Sequence, residues 1–117
     1  MPGSLAGAIA LIAALAPAAA FAAPVVAGAS NVTLTAGSPG EISASTKGMT
    51  ISAAPSNCFS TAAPSHTDIL HVDKTVSSET ERGSKMRFEV HAQNAGSCTI
   101  TFRSGSDSAT VHVTVIR

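Results

Sequence analysis

Four histidines, and the acidic residues beside two of them, are the side chains of this sequence best suited to chemistry. His66, Asp68, His71 and Asp73 lie within eight residues of one another. Imidazole and carboxylate groups are common ligands of zinc and copper, so this set is a candidate metal site. On a strand, His71 and Asp73 would share one face, and the other two would lie in the loop that precedes it. The alternative, which the sequence favours, is that all four are solvated surface residues that bind no metal.

Other possible groupings match known motifs less well. Glu79, Glu81 and Asp107 could bind calcium, but they lack the spacing of a calcium-binding loop. His112 is expected on the outer face of the last strand, two strands from His71 and too far away to share an ion with it. The sequence contains no nucleophile elbow, no zinc-protease motif and no phosphate-binding glycine loop. We therefore expect no catalytic residues, no cofactor and no enzyme activity.

The composition excludes several classes of partner. Seven basic and seven acidic side chains give the 117 residues a formal net charge of zero. A protein that neutralises phosphates needs a surplus of Lys and Arg, so we expect no nucleic-acid partner. The chain also has no Trp and no Tyr, which removes the usual aromatic anchors of binding sites. The expected partner is a protein or a glycan, contacted through loops and strand edges.

The first 22 residues have the pattern of a cleaved signal peptide. Residues 5–15 form a short apolar run, Pro17 would end a helix, and Ala20 and Ala22 are small residues of the kind that signal peptidases recognise. The apolar run is shorter than the ~20 residues that a membrane span needs, although an uncleaved anchor is an alternative. We expect cleavage after Ala22, no membrane insertion of the mature chain, and a secreted or periplasmic location.

Cys58 and Cys98 are the two cysteines of the chain. An even number of cysteines in an exported protein indicates a disulfide, and small domains with thin cores usually need such a crosslink. Closing a loop of about 41 residues is worth roughly 4 kcal/mol in the chain-entropy estimate. Two free thiols or a pair of metal ligands are alternatives that fit the spacing less well. We expect the bond to tie two sheets together.

Alternating apolar and polar residues predict strands in the C-terminal half. The alternation covers residues 86–92, 98–103 and 109–116. A period of two with one apolar face is typical of a strand that has one buried and one solvated side. Short polar turns separate the three stretches, which indicates antiparallel strands that can lie in different sheets.

The N-terminal half alternates more weakly. We expect strands near residues 32–34, 49–53 and 70–72, and a solvated loop over 74–85, with a short edge strand near Val76 as an alternative. Residues 23–31 are expected to be a flexible mature N-terminus. The whole pattern predicts an all-β protein, an antiparallel β-sandwich of six or seven strands over residues 32–117.

The tail of the sequence resembles bacterial immunoglobulin-like domains of the BIG2 type. In that family a glycine precedes a strand centred on isoleucine, and the last strand alternates Ala and Val with polar residues. The matching residues here are Gly96, Ile100, Ala109, Val111, Val113 and Val115. The resemblance covers about residues 32–115, and it implies an immunoglobulin-like β-sandwich without catalytic residues.

These observations predict a secreted, non-catalytic binding or structural module of the bacterial cell envelope. The 74–85 segment is a candidate contact surface, because loops on a rigid scaffold often carry binding. One alternative is a self-assembling subunit that donates its apolar stretch at 24–30 to another copy as a strand. A second alternative is a small periplasmic protein that binds metal through its surface histidines.

Overall fold

The computed structural model describes residues 24–117, and these form eight β-strands. The strands are β1 (Val25–Ala27), β2 (Asn31–Thr35), β3 (Pro39–Thr46), β4 (Ser52–Ser56), β5 (Leu70–Thr80), β6 (Gly83–Ala92), β7 (Gly96–Ser104) and β8 (Asp107–Ile116). The predicted all-β class is confirmed, but the predicted six or seven strands were too few. The predicted signal peptide lies outside the described residues. Residues 24–117 contain no helix with the length and hydrophobicity of a membrane span.

The strands form two sheets of four. The first sheet has the order β1-β3-β6-β5, and the second has the order β2-β8-β7-β4. All neighbours in the first sheet are antiparallel. In the second sheet β2 runs parallel to β8, and the other neighbours are antiparallel. The sandwich is therefore antiparallel except at the β2–β8 edge.

The apolar faces of the two sheets meet in one core. Phe88 of β6 and Phe102 of β7 face each other across the layers, with ring centroids 6.1 Å apart. Ile100 and Phe102 are completely buried, and Thr101 between them is partly exposed. Burying a side chain of this size contributes about 1.5–3 kcal/mol, so the alternation fixes which face turns inward. The three C-terminal strands predicted from this pattern are confirmed as β6, β7 and β8.

Strand β1 lies in the segment that was expected to be flexible. Residues 25–27 pair with residues 44–46 of β3. The Val25 side chain is buried in the core, and its backbone N–H donates a hydrogen bond to the Asp107 carboxylate. The apolar stretch after the predicted cleavage site is therefore used within its own chain.

The segment 74–85, expected to be a solvated loop, is the end of a long hairpin. Strands β5 and β6 pair from Leu70 opposite Ala92 to Thr80 opposite Gly83, with Glu81 and Arg82 in the turn. β5 is an edge strand, and most of its residues after Val72 are exposed. Polar residues are therefore tolerated on both of its faces. The polarity that suggested a loop reflects this edge position.

The predicted disulfide between Cys58 and Cys98 is confirmed, with Cα atoms 5.1 Å apart. Cys98 lies on the buried face of β7, and Cys58 lies two residues beyond β4. Since β4 and β7 are neighbours in the second sheet, the expectation that the bond ties the two sheets together was wrong. The Cys58 backbone makes that link instead, because its carbonyl accepts a hydrogen bond of 3.0 Å from the Leu70 N–H at the start of β5.

Candidate functional site

The structure brings two of the candidate metal ligands, His71 and Asp73, together with a third residue, His91. His71 of β5 lies directly opposite His91 of β6, with ring centroids 4.9 Å apart. The Asp73 Oδ1 atom lies 2.9 Å from His91 Nδ1 and 3.9 Å from His71 Nε2. The three side chains are between 42% and 46% exposed, so the cluster is on the outer surface of the first sheet.

A β-bulge gives Asp73 its position in this cluster. The pairing register shifts between Val72 and Lys74, so Asp73 has no partner residue on β6. A bulge bends the strand and re-aims the extra side chain. The sequence placed His71 and Asp73 on one face, but His91 could be found only from the register of β5 on β6.

The other two candidates, His66 and Asp68, and the histidine His112 lie elsewhere. The Asp68 carboxylate accepts a hydrogen bond of 3.0 Å from the Ser65 N–H, and the His66 carbonyl accepts one of 2.8 Å from the Asn94 side chain. His112 lies on β8 in the second sheet, so the expectation that it was two strands from His71 in one sheet was wrong.

The four candidate metal ligands of the sequence do not come together in one site. Within residues 24–117, no group of three or more His, Cys, Asp or Glu side chains is arranged to hold a metal ion. In the observed cluster, the short contact between Asp73 and His91 is a direct hydrogen bond. The His91 Nδ1 atom is therefore directed at the Asp73 carboxylate, and not at a point where one metal ion could contact all three side chains.

The residues considered for calcium do not converge either, and two of them connect the sheets. The Glu79 carboxylate of β5 accepts a hydrogen bond of 2.9 Å from the Ile51 N–H, next to β4 of the second sheet. The Asp107 carboxylate of β8 accepts the hydrogen bond from Val25 of β1. Each carboxylate satisfies a backbone donor of the opposite layer, which is a structural role.

A charge network covers the middle of the outer face of the first sheet. Glu41 of β3 lies opposite Glu89 of β6. The Arg87 guanidinium lies 3.5 Å from Glu41 and 2.9 Å from Glu89, so it offsets the repulsion between the two carboxylates. Exposed pairs of this kind contribute little to stability, about 0–1 kcal/mol each.

A groove of about 450 Å³ lies beside this network, at the end of the sheet where β5 turns into β6. We call it the basic groove, because its charged lining residues are Lys47, Arg82 and Lys85. None of these three side chains is in a salt bridge within residues 24–117. Arg82 and Lys85 were expected in a loop, and Lys47 comes close to them because β3 pairs with β6.

The sheet edges differ in how open they are. β1 has only three residues, and β4 contains Pro55, which cannot donate a hydrogen bond to an added strand. β5 has eleven residues, and its bulge lies near one end. A cavity of about 260 Å³ with an apolar floor of Phe59, Leu70 and Phe88 opens beside it. The β5 edge is therefore the longest strand edge that a partner could reach.

Comparison with known proteins finds similarity in structure only. No family model matches the chain, and no curated protein matches its sequence. Among solved structures, the chain is similar to the crystal structure of the S-layer protein SbsC domains 4 and 5, with a TM-score of 0.54 and 17% sequence identity. The similarity covers 80% of this chain and 44% of that chain. At this identity the similarity shows a shared all-β fold.

Proposed function

We propose that this chain is an exported, non-catalytic, immunoglobulin-like module of the bacterial cell envelope. It binds a protein or a glycan through its loops and strand edges, or it serves as a structural component. The observation that carries the proposal is the fold similarity to domains of an S-layer protein. The disulfide is consistent with a location outside the cytoplasm, because such bonds persist in oxidising compartments.

The immunoglobulin-like part of the proposal is supported by strand order. Constant-type immunoglobulin domains have one sheet of strands A-B-E-D and another of C-F-G. With β1 and β2 taken as the two halves of strand A, the first sheet corresponds to A-B-E-D. The second sheet then corresponds to G-F-C with the second half of strand A at its edge. The finer assignment to the BIG2 type is supported by the tail residues alone.

The self-assembling alternative is less well supported. Donation of residues 25–27 to another copy would require their pairing with β3 to be broken and Val25 to leave the core. Pairing within the chain favours a molecule that completes its own first sheet. The metal-binding alternative lacks a converging set of ligands in the described residues.

Expression of the full chain in a bacterium, followed by cell fractionation and N-terminal sequencing, tests export. The expected product begins at Ala23, carries the Cys58–Cys98 bond and is found outside the cytoplasm. A control chain that lacks residues 2–22 should remain in the cytoplasm with both thiols reduced. Recovery of the full chain in the cytoplasm with an intact leader would overturn the proposal.

A further inference from the structure

We propose that the basic groove binds an anionic glycan, meaning a polymer of sugars or polyols that carries phosphate or carboxylate groups. This inference rests on the proposed function, because an envelope location gives the groove access to such polymers. It goes further by choosing a glycan over a protein and by naming the surface that binds it.

The charge of the groove is the first argument. Lys47 directly follows β3, Arg82 lies in the turn between β5 and β6, and Lys85 lies on β6. All three are exposed and line one cavity, and none of the seven acidic residues lines it. None of the three forms a salt bridge within residues 24–117. A chain with no net charge therefore keeps three of its seven cations together, and none of the three is in a salt bridge in the described part of the chain.

The strand register explains why the groove is concave. Lys85 lies opposite Ser45 on β3 and opposite Ser78 on β5. Residues that are opposite in antiparallel neighbours project from the same face, so the Lys85 side chain stands between two short hydroxyl side chains. Val26 of β1, opposite Ser45 and 61% exposed, forms the far side. A polymer strand that lay across this row would meet a cation flanked by hydroxyl groups.

Hydrogen bonds hold the backbone that carries the other two cations. The Thr80 hydroxyl accepts a bond from the Arg82 N–H at 3.2 Å and donates one to the Gly83 carbonyl at 2.9 Å. The buried Ser84 hydroxyl donates to the Gly48 carbonyl at 3.0 Å, next to Lys47. The cations are thus carried on ordered turns, which lowers the entropy cost of binding.

The lining favours a glycan over a protein. Protein interfaces depend on buried aromatic or Arg anchors in well-packed pockets, whereas this groove has no aromatic residue and its Arg82 is exposed. It shares Val26, Ser45, Ser78 and Lys85 with a second groove that continues along the sheet to Glu41 and its salt-bridge partner Arg87. A long path whose cations and hydroxyls are concentrated at the Lys47, Arg82 and Lys85 end suits a linear charged polymer. Ammonium and guanidinium groups form strong charge-assisted hydrogen bonds with phosphate and carboxylate oxygens.

The test measures binding of fluorescently labelled poly(glycerol phosphate) to the exported protein by anisotropy. We expect saturable binding that weakens as salt is raised from about 50 to about 200 mM, because counterions screen the contacts. The triple variant Lys47→Gln, Arg82→Gln, Lys85→Gln should bind about tenfold more weakly or worse. The charge-matched control Lys74→Gln, Arg103→Gln, Arg117→Gln removes three exposed cations outside the groove and should bind within about twofold of the parent protein.

Two further probes distinguish the possible ligands. Poly-L-glutamate of equal charge represents an acidic protein, and inorganic phosphate represents a simple ion. Tighter binding of either one than of the glycan polymer, or an equal loss of polymer affinity in the two triple variants, overturns the inference.

Thermal unfolding followed by circular dichroism verifies that each variant is folded. The single variant Lys85→Gln provides a milder test. If the polymer fails to bind to protein that is exported and processed at Ala23, the groove inference fails while the export proposal stands.

Discussion

Ser84 and Gly83 show how single residues shape the end of the first sheet that carries the basic groove. Ser84 is 1% exposed, and its hydroxyl donates to the Gly48 carbonyl across β3 and β6. Gly83 has a φ of 145°, and a Cβ there would lie 2.7 Å from the Thr46 carbonyl oxygen. Both positions hold the hairpin end of β6 against β3, so both should affect stability.

Replacing Ser84 with alanine should lower the free energy of unfolding by about 1–2 kcal/mol, because the Gly48 carbonyl loses its buried donor. Urea denaturation of the mature protein measures the change. The control Ser78→Ala, at an exposed position on β5, should change stability by less than about 0.5 kcal/mol. Equal effects of the two substitutions would show that the Ser84 bond contributes nothing.

Replacing Gly83 with alanine should lower the free energy of unfolding by about 1–3 kcal/mol, because the left-handed backbone and the contact with Thr46 both oppose a side chain. Gly105 provides a matched control. It has a φ of 59°, but a Cβ there meets nothing within 4 Å. The substitution Gly105→Ala should therefore be clearly milder in the same urea titration, and a reversed order would contradict the proposed clash.

Among the elements, the disulfide joins the end of β4 to β7 within the second sheet. Replacing both cysteines with alanine should lower the free energy of unfolding by about 3–4 kcal/mol, because the unfolded chain regains the freedom of a 40-residue separation. Parent protein unfolded in the presence of a reductant should give the same value as the double variant. A loss below about 1 kcal/mol would mean that packing around β4 and not the crosslink maintains the sheet.

Strands β8 and β3 show which strands can be predicted from the sequence and which cannot. Strand β8 was predictable because Val111, Val113 and Val115 are all buried and every residue between them is exposed. β3 was missed because Pro39 and Gly40 suggest a turn, and its inward residues Ala44 and Thr46 are too small or too polar to make a clear pattern. Such a strand is fixed by its neighbours β1 and β6 more than by its own composition.

The part of β5 beyond Val72, and the place of His91 in the histidine cluster, were missed for a related reason. The bulge at Asp73 breaks the period of two, and the exposed edge beyond it has no apolar face to detect. His91 joined the candidate site only through pairing with β5, and Lys47 joined Arg82 and Lys85 only through pairing of β3 with β6. Contacts between strands distant in sequence depend on register, which a single sequence does not encode locally.

At the scale of the whole molecule, β1 completes the first sheet of its own chain. Val25 is 7% exposed and Val26 is 61% exposed, so the two neighbouring valines provide an internal comparison. Val25→Ser should lower the free energy of unfolding by about 1.5–3 kcal/mol, and Val26→Ser should have an effect of less than about 0.5 kcal/mol.

The same arrangement predicts the behaviour of the molecule in solution. If β1 remains in its own sheet, the sedimentation coefficient of the mature protein should not change with protein concentration in analytical ultracentrifugation. The strand-donor alternative instead predicts oligomers that disappear when residues 23–31 are removed. Oligomers with that dependence would overturn the pairing of β1 within the chain as the state in solution.

The central claim is that the exported molecule serves at the cell envelope by binding or by structure. Co-sedimentation of the mature protein with purified cell walls, before and after the walls are stripped of protein, tests it most directly. We predict that the protein sediments with both preparations, and that the triple variant of the basic groove is released from the stripped walls while the charge-matched control is retained. Protein that stays in the supernatant with both preparations would contradict the claim.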